Sequence, residues 1–171
     1  MVSKEVPLQG KVVEYDENCR AQSYTVYKDG VEHCDDGPSY LDRQFDWEYR
    51  TNGELHRTDG PSRHVDNTLE WYINGVAHRE DGPAVVSPYG ELWEYYLDGV
   101  YVSEEAFREH AALHGIQLCQ VDEDYLRDHS QVEIDDEWDS KQVVLWSNYL
   151  TAINAHPVFN EPNKIQEYLS K

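Results

Sequence analysis

Polar and apolar residues alternate one by one through three stretches of the chain. Phe45, Trp47 and Tyr49 interleave with Asp46, Glu48 and Arg50; Leu69, Trp71 and Ile73 repeat the pattern, and Trp93, Tyr95 and Leu97 repeat it again. Strand side chains point alternately to opposite faces, so a period of two predicts a sheet with one buried face. Each stretch runs into a two-residue turn signal, Asn52-Gly53, Asn74-Gly75 or Asp98-Gly99, and Asp29-Gly30 follows an earlier strand-like segment. Both central residues of a type I′ turn need φ > 0, which Asn, Asp and Gly tolerate, so the predicted elements are hairpins.

The hairpins recur. Aligned on their turn glycines, the copies read YTVYKDGVEHCDDGPSY (24–40), WEYRTNGELHRTDGPSR (47–63) and WYINGVAHREDGPAV (71–85). A fourth start, WEYYLDGVYVSEEAF (93–107), keeps the strand and turn but lacks the His and the Asp-Gly-Pro. Gly30 to Gly53 is 23 residues, Gly53 to Gly75 is 22 and Gly75 to Gly99 is 24. The second turn of each unit is Asp36-Gly37-Pro38, Asp59-Gly60-Pro61 or Asp81-Gly82-Pro83. There Asp is expected to bond the backbone beyond it, Gly to supply unusual dihedrals and Pro to end the ladder. Units of this kind stack, each contacting mainly its neighbours. The expected class is α+β: an antiparallel β-meander repeat sheet over residues ~10–102, capped by a C-terminal helical segment. Residues 1–102 form the repeat region and 103–171 the acidic helical region.

The string WYINGVAHREDGPAV resembles the MORN-like repeats of phage and bacterial proteins, in which W-Y-x-N-G-x-x-H-R-x-D-G-P-A recurs and ends in a degenerate copy followed by a helix. The resemblance covers about residues 24–107. It implies a small phage-encoded accessory protein acting in the host cytoplasm. Copy one departs from the pattern, with Cys34 where copies two and three have Arg57 and Arg79.

Beyond Val102 the period changes. Ser103 is an N-cap candidate, Glu104 and Glu105 suit the first turn of a helix running to about His114, and Gly115 suits its stop. Ala106, Phe107, Ala111 and Leu113 supply an apolar stripe for capping the open end of the sheet. A second helix is expected over residues 140–155 and a short one over 163–169.

Charge narrows the partner. The formal net charge is −20, from 34 acidic and 14 basic residues. Residues 1–102 hold 20 acids and 9 bases, and residues 103–171 hold 14 acids and 5 bases, so the shorter segment is the more densely charged. Direct nucleic-acid binding and an anionic membrane are disfavoured, and a basic protein surface is favoured. Residues 122–139 carry nine acids against the single base Arg127, with aromatics among them. The residues expected to bind a partner are Asp122, Glu123, Asp124, Tyr125, Glu133, Asp135, Asp136, Glu137, Trp138 and Asp139. Carboxylates steer a basic partner, and Trp138 supplies an apolar anchor.

Chemistry is less visible. No G-x-S-x-G, P-loop, H-E-x-x-H or C-x-x-C is present, and the three cysteines have no close pair. His110 and His114 stand i,i+4 without a third ligand near in sequence, so neither metal nor other cofactor is implied. The repeated His33, His56 and His78, with Asp36, Asp59 and Asp81, are expected to serve the fold through turn capping or a His–Asp bond, since every unit demands them. No leader or membrane span is apparent, and a cytoplasmic protein is expected.

The function expected is therefore a non-enzymatic accessory protein, an inhibitor or adaptor, whose acidic surface occupies the basic, often nucleic-acid-binding, site of a host or defence protein and can imitate DNA electrostatically. Two alternatives remain. One is a structural module binding through an aromatic sheet face, marked by Tyr72, Tyr96 and Tyr101. The other is a protein binding or hydrolysing a signalling nucleotide through His56, Arg57, His78 and Arg79.

Overall fold

The structure, a computed structural model, describes residues 6–87, 93–122 and 124. The first two strands, β1 (Gln9–Tyr15) and β2 (Ala21–Lys28), are joined by a turn in which the Asp16 carboxylate accepts the backbone N–H groups of Asn18 and Arg20. Short strands come next: β3 (Val31–Glu32), β4 (Tyr40–Asp42), β5 (Trp47–Glu48), β6 (Arg50–Thr51), β7 (Glu54–Leu55), β8 (Arg63–Val65) and β9 (Thr68–Glu70). Then come β10 (Tyr72–Ile73), β11 (Val76–Ala77), β12 (Val85–Val86), β13 (Trp93–Leu97) and β14 (Val100–Val102). The main sheet has the order β1-β2-β4-β5-β8-β9-β12-β13-β14, with every neighbouring pair antiparallel. The pairs β6–β7 and β10–β11 are hairpins leaving the sheet.

Strand pairing lines up one residue per strand into two rows on opposite faces. Val13, Tyr24, Leu41, Trp47, His64, Leu69, Val86 and Trp93 are successive cross-strand partners. This row is the core, with Trp47, Leu69 and Val86 fully buried. Each such side chain contributes roughly 1.5–3 kcal/mol by leaving water. The neighbouring row, Tyr40, Glu48, Arg63, Glu70, Val85 and Glu94, faces the other way. Along it Arg63 bridges Glu48 (3.3 Å) and Glu70 (3.1 Å). The period-two pattern thus separates an apolar face from a salt-bridged one.

Why the strands are so short is visible at Tyr49 and Trp71. Their N–H groups donate to Ser62 O (2.7 Å) and Ala84 O (2.8 Å), and the chain then turns out of the sheet into the hairpin. The small residue after each Pro (Ser39, Ser62, Ala84) is wholly buried beneath this bend. The hairpin turns have the expected geometry: φ is +53° and +85° at Asn52-Gly53, +50° and +74° at Asn74-Gly75, and +48° and +79° at Asp98-Gly99. A further turn of the same kind, Asp66-Asn67 (φ +49° and +61°), joins β8 to β9 and was not anticipated.

The helix α1 (Glu104–His114) matches its sequence signals. Ser103 Oγ accepts the Ala106 N–H, and Gly115 closes the helix in the left-handed region at φ +66°. Phe107 and Ala111 are buried, and Phe107 packs on Tyr95 of β13 with ring centroids 4.7 Å apart. Ala106 and Leu113, assigned to the apolar stripe, are instead exposed, Leu113 at 82%, because positions 107 and 111 carry the buried face. The segments expected to be helical at 140–155 and 163–169 lie outside the described residues.

This geometry makes two predictions. Gly75→Val forces a β-branched side chain to φ +74°, and should lower stability by about 1–3 kcal/mol in urea unfolding. Gly37→Ala, with no heavy atom within 4 Å of the added Cβ and no positive φ, should change little. The second concerns His64, which stacks on Trp47 (centroids 5.8 Å) and donates Nδ1–H to Phe45 O at 2.8 Å. Burial pushes its pKa below the ordinary imidazole value, outweighing the raising effect of the Phe45 carbonyl. The unfolded chain therefore takes up the proton first. The stability this residue contributes is complete above about pH 6.5 and falls as pH drops through that value toward the folded pKa. His64→Gln should remove that part of the slope between about pH 7.5 and 5.5.

Candidate functional site

The residues that recur in every copy build two devices. The first is a histidine ladder. The backbone N–H of Asn52 donates to His33 Nδ1 (3.0 Å), that of Asn74 to His56 Nδ1 (3.2 Å) and that of Asp98 to His78 Nδ1 (3.0 Å). The next amide of each turn completes the link: Gly53 N–H to Glu32 O, Gly75 N–H to Leu55 O and Gly99 N–H to Ala77 O, at 2.8–2.9 Å. Both turn amides of one unit are thus received by the unit before it. In His33 the ring that accepts at Nδ1 carries its proton on Nε2, directed to Asp35 Oδ1 at 2.8 Å, whereas His78 Nδ1 also faces the Asp98 carboxylate at 3.0 Å. That bond, helped by Lys28, holds the Asp35 carboxyl below its ordinary range. Turn capping is the role expected for these histidines, although the turn they cap belongs to the next unit along the chain.

The second device is a guanidinium cradle. Arg57 donates Nε–H to Asp59 Oδ1 (2.7 Å) and Nη1–H to Pro61 O (3.1 Å), and its Cζ stands 4.3 Å from the Tyr49 ring centroid. Arg79 repeats this with Asp81 (2.8 Å), Pro83 O (3.1 Å) and the Trp71 ring (4.2 Å). The guanidinium lies directly over the glycine of Asp-Gly-Pro. A Cβ on Gly60 would sit 3.1 Å from Arg57 Cζ, and one on Gly82 would sit 2.9 Å from Arg79 Cζ and collide with Asp122 Oδ2. This corrects the expectation of unusual dihedrals: φ is positive at none of Gly37, Gly60 and Gly82. The glycine is needed for close approach of the arginine. The arginine in turn lowers the Asp59 pKa through its hydrogen bond.

The chain after α1 returns to the third copy. The Cys119 N–H donates to Asp81 O (2.7 Å), and Asp122 Oδ2 accepts Arg79 Nη2 at 2.6 Å. Asp122, grouped by sequence with the acids of a partner surface, is 2% exposed and spent on this internal ion pair. Burial and the Asp122 charge raise the Cys119 thiol pKa. Asp124 accepts from Gln120 Nε2 at 2.9 Å. Glu123, Tyr125, Glu133, Asp135, Asp136, Glu137, Trp138 and Asp139 lie outside the described residues.

The other candidates change in character. A groove between the second and third Asp-Gly-Pro turns is lined by Arg57, Asp59, Trp71, His78, Arg79 and Ile116. An anionic nucleotide there meets arginines already held by Asp59, Asp81 and Asp122. Tyr96 and Tyr101 meet edge-on at 5.7 Å, but Tyr72 and Tyr96 are half-buried and only Tyr101 is well exposed. The His110 and His114 rings meet at a tilt of 33° with centroids 4.1 Å apart, and His114 Nδ1–H donates to His110 O. Among the described residues no group of three or more His, Cys, Asp or Glu is arranged to hold a metal ion, and no helix is long and apolar enough to cross a membrane.

The cradle was missed although it leaves a trace in the sequence. The residue eight positions before the arginine is aromatic in copies two and three (Tyr49 before Arg57, Trp71 before Arg79), and in copy one both change together, to Val26 and Cys34.

Asp122→Ala removes one of the two carboxylates from a buried guanidinium that keeps Asp81, and should cost about 1.5–3 kcal/mol in chemical unfolding. Asp124→Ala should cost far less. His56→Ala removes one acceptor from a partly exposed turn, and should cost about 0.5–1.5 kcal/mol without changing the fold.

Comparison of the chain with protein families, with curated proteins and with solved structures finds no match.

Proposed function

We propose that this protein is a binding module without chemistry of its own, which engages a basic protein surface through its carboxylates. The observation that carries this reading is where the positive charge goes. Of the nine basic residues among those described, six are held in internal ion pairs: Lys28, Arg50, Arg57, Arg63, Arg79 and Arg108. Acids outnumber them, and Asp29, Asp36, Glu54, Glu80 and Asp98 stand exposed on the hairpin tips and second turns. A field of this sign steers a basic partner and repels nucleic acid. The MORN-like character of the repeats supports a host or defence protein as that partner, and a nucleic-acid-binding groove is the surface whose charge it complements.

Residues 122–139 remain the segment proposed for contact, apart from Asp122. Exposed ion pairs contribute only about 0–1 kcal/mol each, so affinity needs an apolar anchor, and Trp138 is that residue.

The test uses basic nucleic-acid-binding host proteins, with displacement of a labelled DNA duplex as the readout. Displacement should weaken steeply with salt. Replacing Asp135 and Asp136 by Asn and Glu137 by Gln should slow association roughly three- to tenfold at low salt and flatten its salt dependence. Trp138→Ala should instead speed dissociation, weakening binding by about 2 kcal/mol. Affinity indifferent to salt would sink the reading.

A further inference from the structure

We propose that the first repeat carries a guanidinium cradle, formed by Asp36, Gly37 and the carbonyl of Pro38 and holding no arginine of the described residues, that takes an arginine side chain from a basic partner protein. This rests on the reading of the protein as a binder of basic surfaces, and names the side chain that the first repeat selects.

The molecule supplies its own template. In copies two and three the Asp carboxylate, the Pro carbonyl and the bare Gly backbone enclose one guanidinium, through Nε at 2.7–2.8 Å and Nη1 at 3.1 Å. Copy one has the same three elements in the same order, but residue 34 is Cys, which cannot reach them. No atom of the described residues lies within 4 Å of a Cβ built on Gly37, where Gly60 and Gly82 each carry a guanidinium. The Asp36 side chain is exposed and makes no hydrogen bond or ion pair with any described residue. Its equivalents Asp59 and Asp81 are both bound to arginine.

Among the described residues, neighbouring groups reach part of the place but leave Asp36 open. The Tyr24 hydroxyl donates to Pro38 O at 3.4 Å, a long bond that leaves the carbonyl's second lone pair available. Lys11 of β1 stands over the Tyr24 ring at 4.1 Å and near Cys34, and makes no ion pair with Asp36. Val26 replaces the aromatic floor, so the site offers an incoming arginine its hydrogen bonds and charge without the stacked ring. A planar fork satisfies carboxylate and carbonyl together; an ammonium offers one compact point of charge. Selectivity for arginine over lysine is therefore the signature of a cradle, as distinct from a merely acidic surface.

The experiment titrates the full chain with acetyl-Gly-Arg-Gly-amide and with its lysine counterpart, tracking the backbone amide resonances of Asp36 and Gly37. The arginine peptide should shift them and bind about three- to tenfold more tightly, the worth of one net hydrogen bond. Asp36→Asn should abolish the shift and leave the melting temperature unchanged. Cys34→Arg should fill the cradle from within, abolishing binding while the melting temperature is kept or raised. Equal response to the two peptides, or arginine binding that survives in either variant, overturns the proposal. If both peptides bind equally and salt-dependently elsewhere on the protein, the cradle falls while the acidic-surface reading stands. If neither peptide binds and no basic protein is engaged, both fall.

Discussion

The structure depends on how one hairpin tip is received by the unit before it. A type I′ turn projects two successive amides, and an amide withdrawn from water without an acceptor costs a lost hydrogen bond. Here each pair is met by one backbone carbonyl and one imidazole Nδ1 from the preceding copy. The arrangement has a direction, since donors lie at each tip and acceptors just beyond it in the chain. For the first tip, Leu8 O receives the Gly30 amide, and Gln9 Nε2 reaches Asp29 Oδ1, so the segment leading into β1 supplies acceptor and donor there. In the fourth copy Val102 occupies the histidine position, and the imidazole ladder ends at His78.

The arginine cradle is laid over this frame and differs from copy to copy. In the second copy it closes on Arg57; in the third it closes on Arg79 and is completed from outside by Asp122; in the first the residue that would fill it is absent. The third version ties the repeats to the chain beyond α1. Phe107 fixes α1 on Tyr95, the chain doubles back, and a buried carboxylate meets a guanidinium already holding two bonds. A charge pair so withdrawn from water is costly to break from either side. It makes the segment carrying Cys119 and Asp122 part of the repeat structure and not an appendage.

These pairings also shape the electrostatics. Arg50 and Arg63 are enclosed by Glu32, Glu48 and Glu70 on the outer face, and Arg57 and Arg79 by the second turns. The cations that fold the protein are thus largely removed from its outward field, and the surplus carboxylates dominate the surface that an approaching molecule meets.

Much of the repeat region was legible in the sequence because its determinants are local. Alternation along a strand, positive φ at Asn-Gly and Asp-Gly, and the Ser103 cap with the Gly115 stop each depend on a few adjacent residues, and each appears where the sequence places it. The recurrence of His33, His56 and His78 told that the fold demands them, since a ligand does not require one copy per unit. What they touch could not be read: their partners are 18–20 residues away, and only stacking brings those amides to the ring. The glycine of Asp-Gly-Pro was misread for the same reason, because close approach by an arginine side chain leaves the same mark in sequence as a positive φ. Asp122 shows the limit most clearly. In sequence it is the first of a run of acids and looks solvated; in the fold it lies beside Arg79, 43 positions earlier, and is buried. Sequence by itself determined the period, the turns and the helix, all set by short-range sterics and hydrogen bonding. Only the tertiary structure decided which charges are spent inside the protein and which face outward, because that depends on which distant residues the stacking of the units brings within hydrogen-bonding distance.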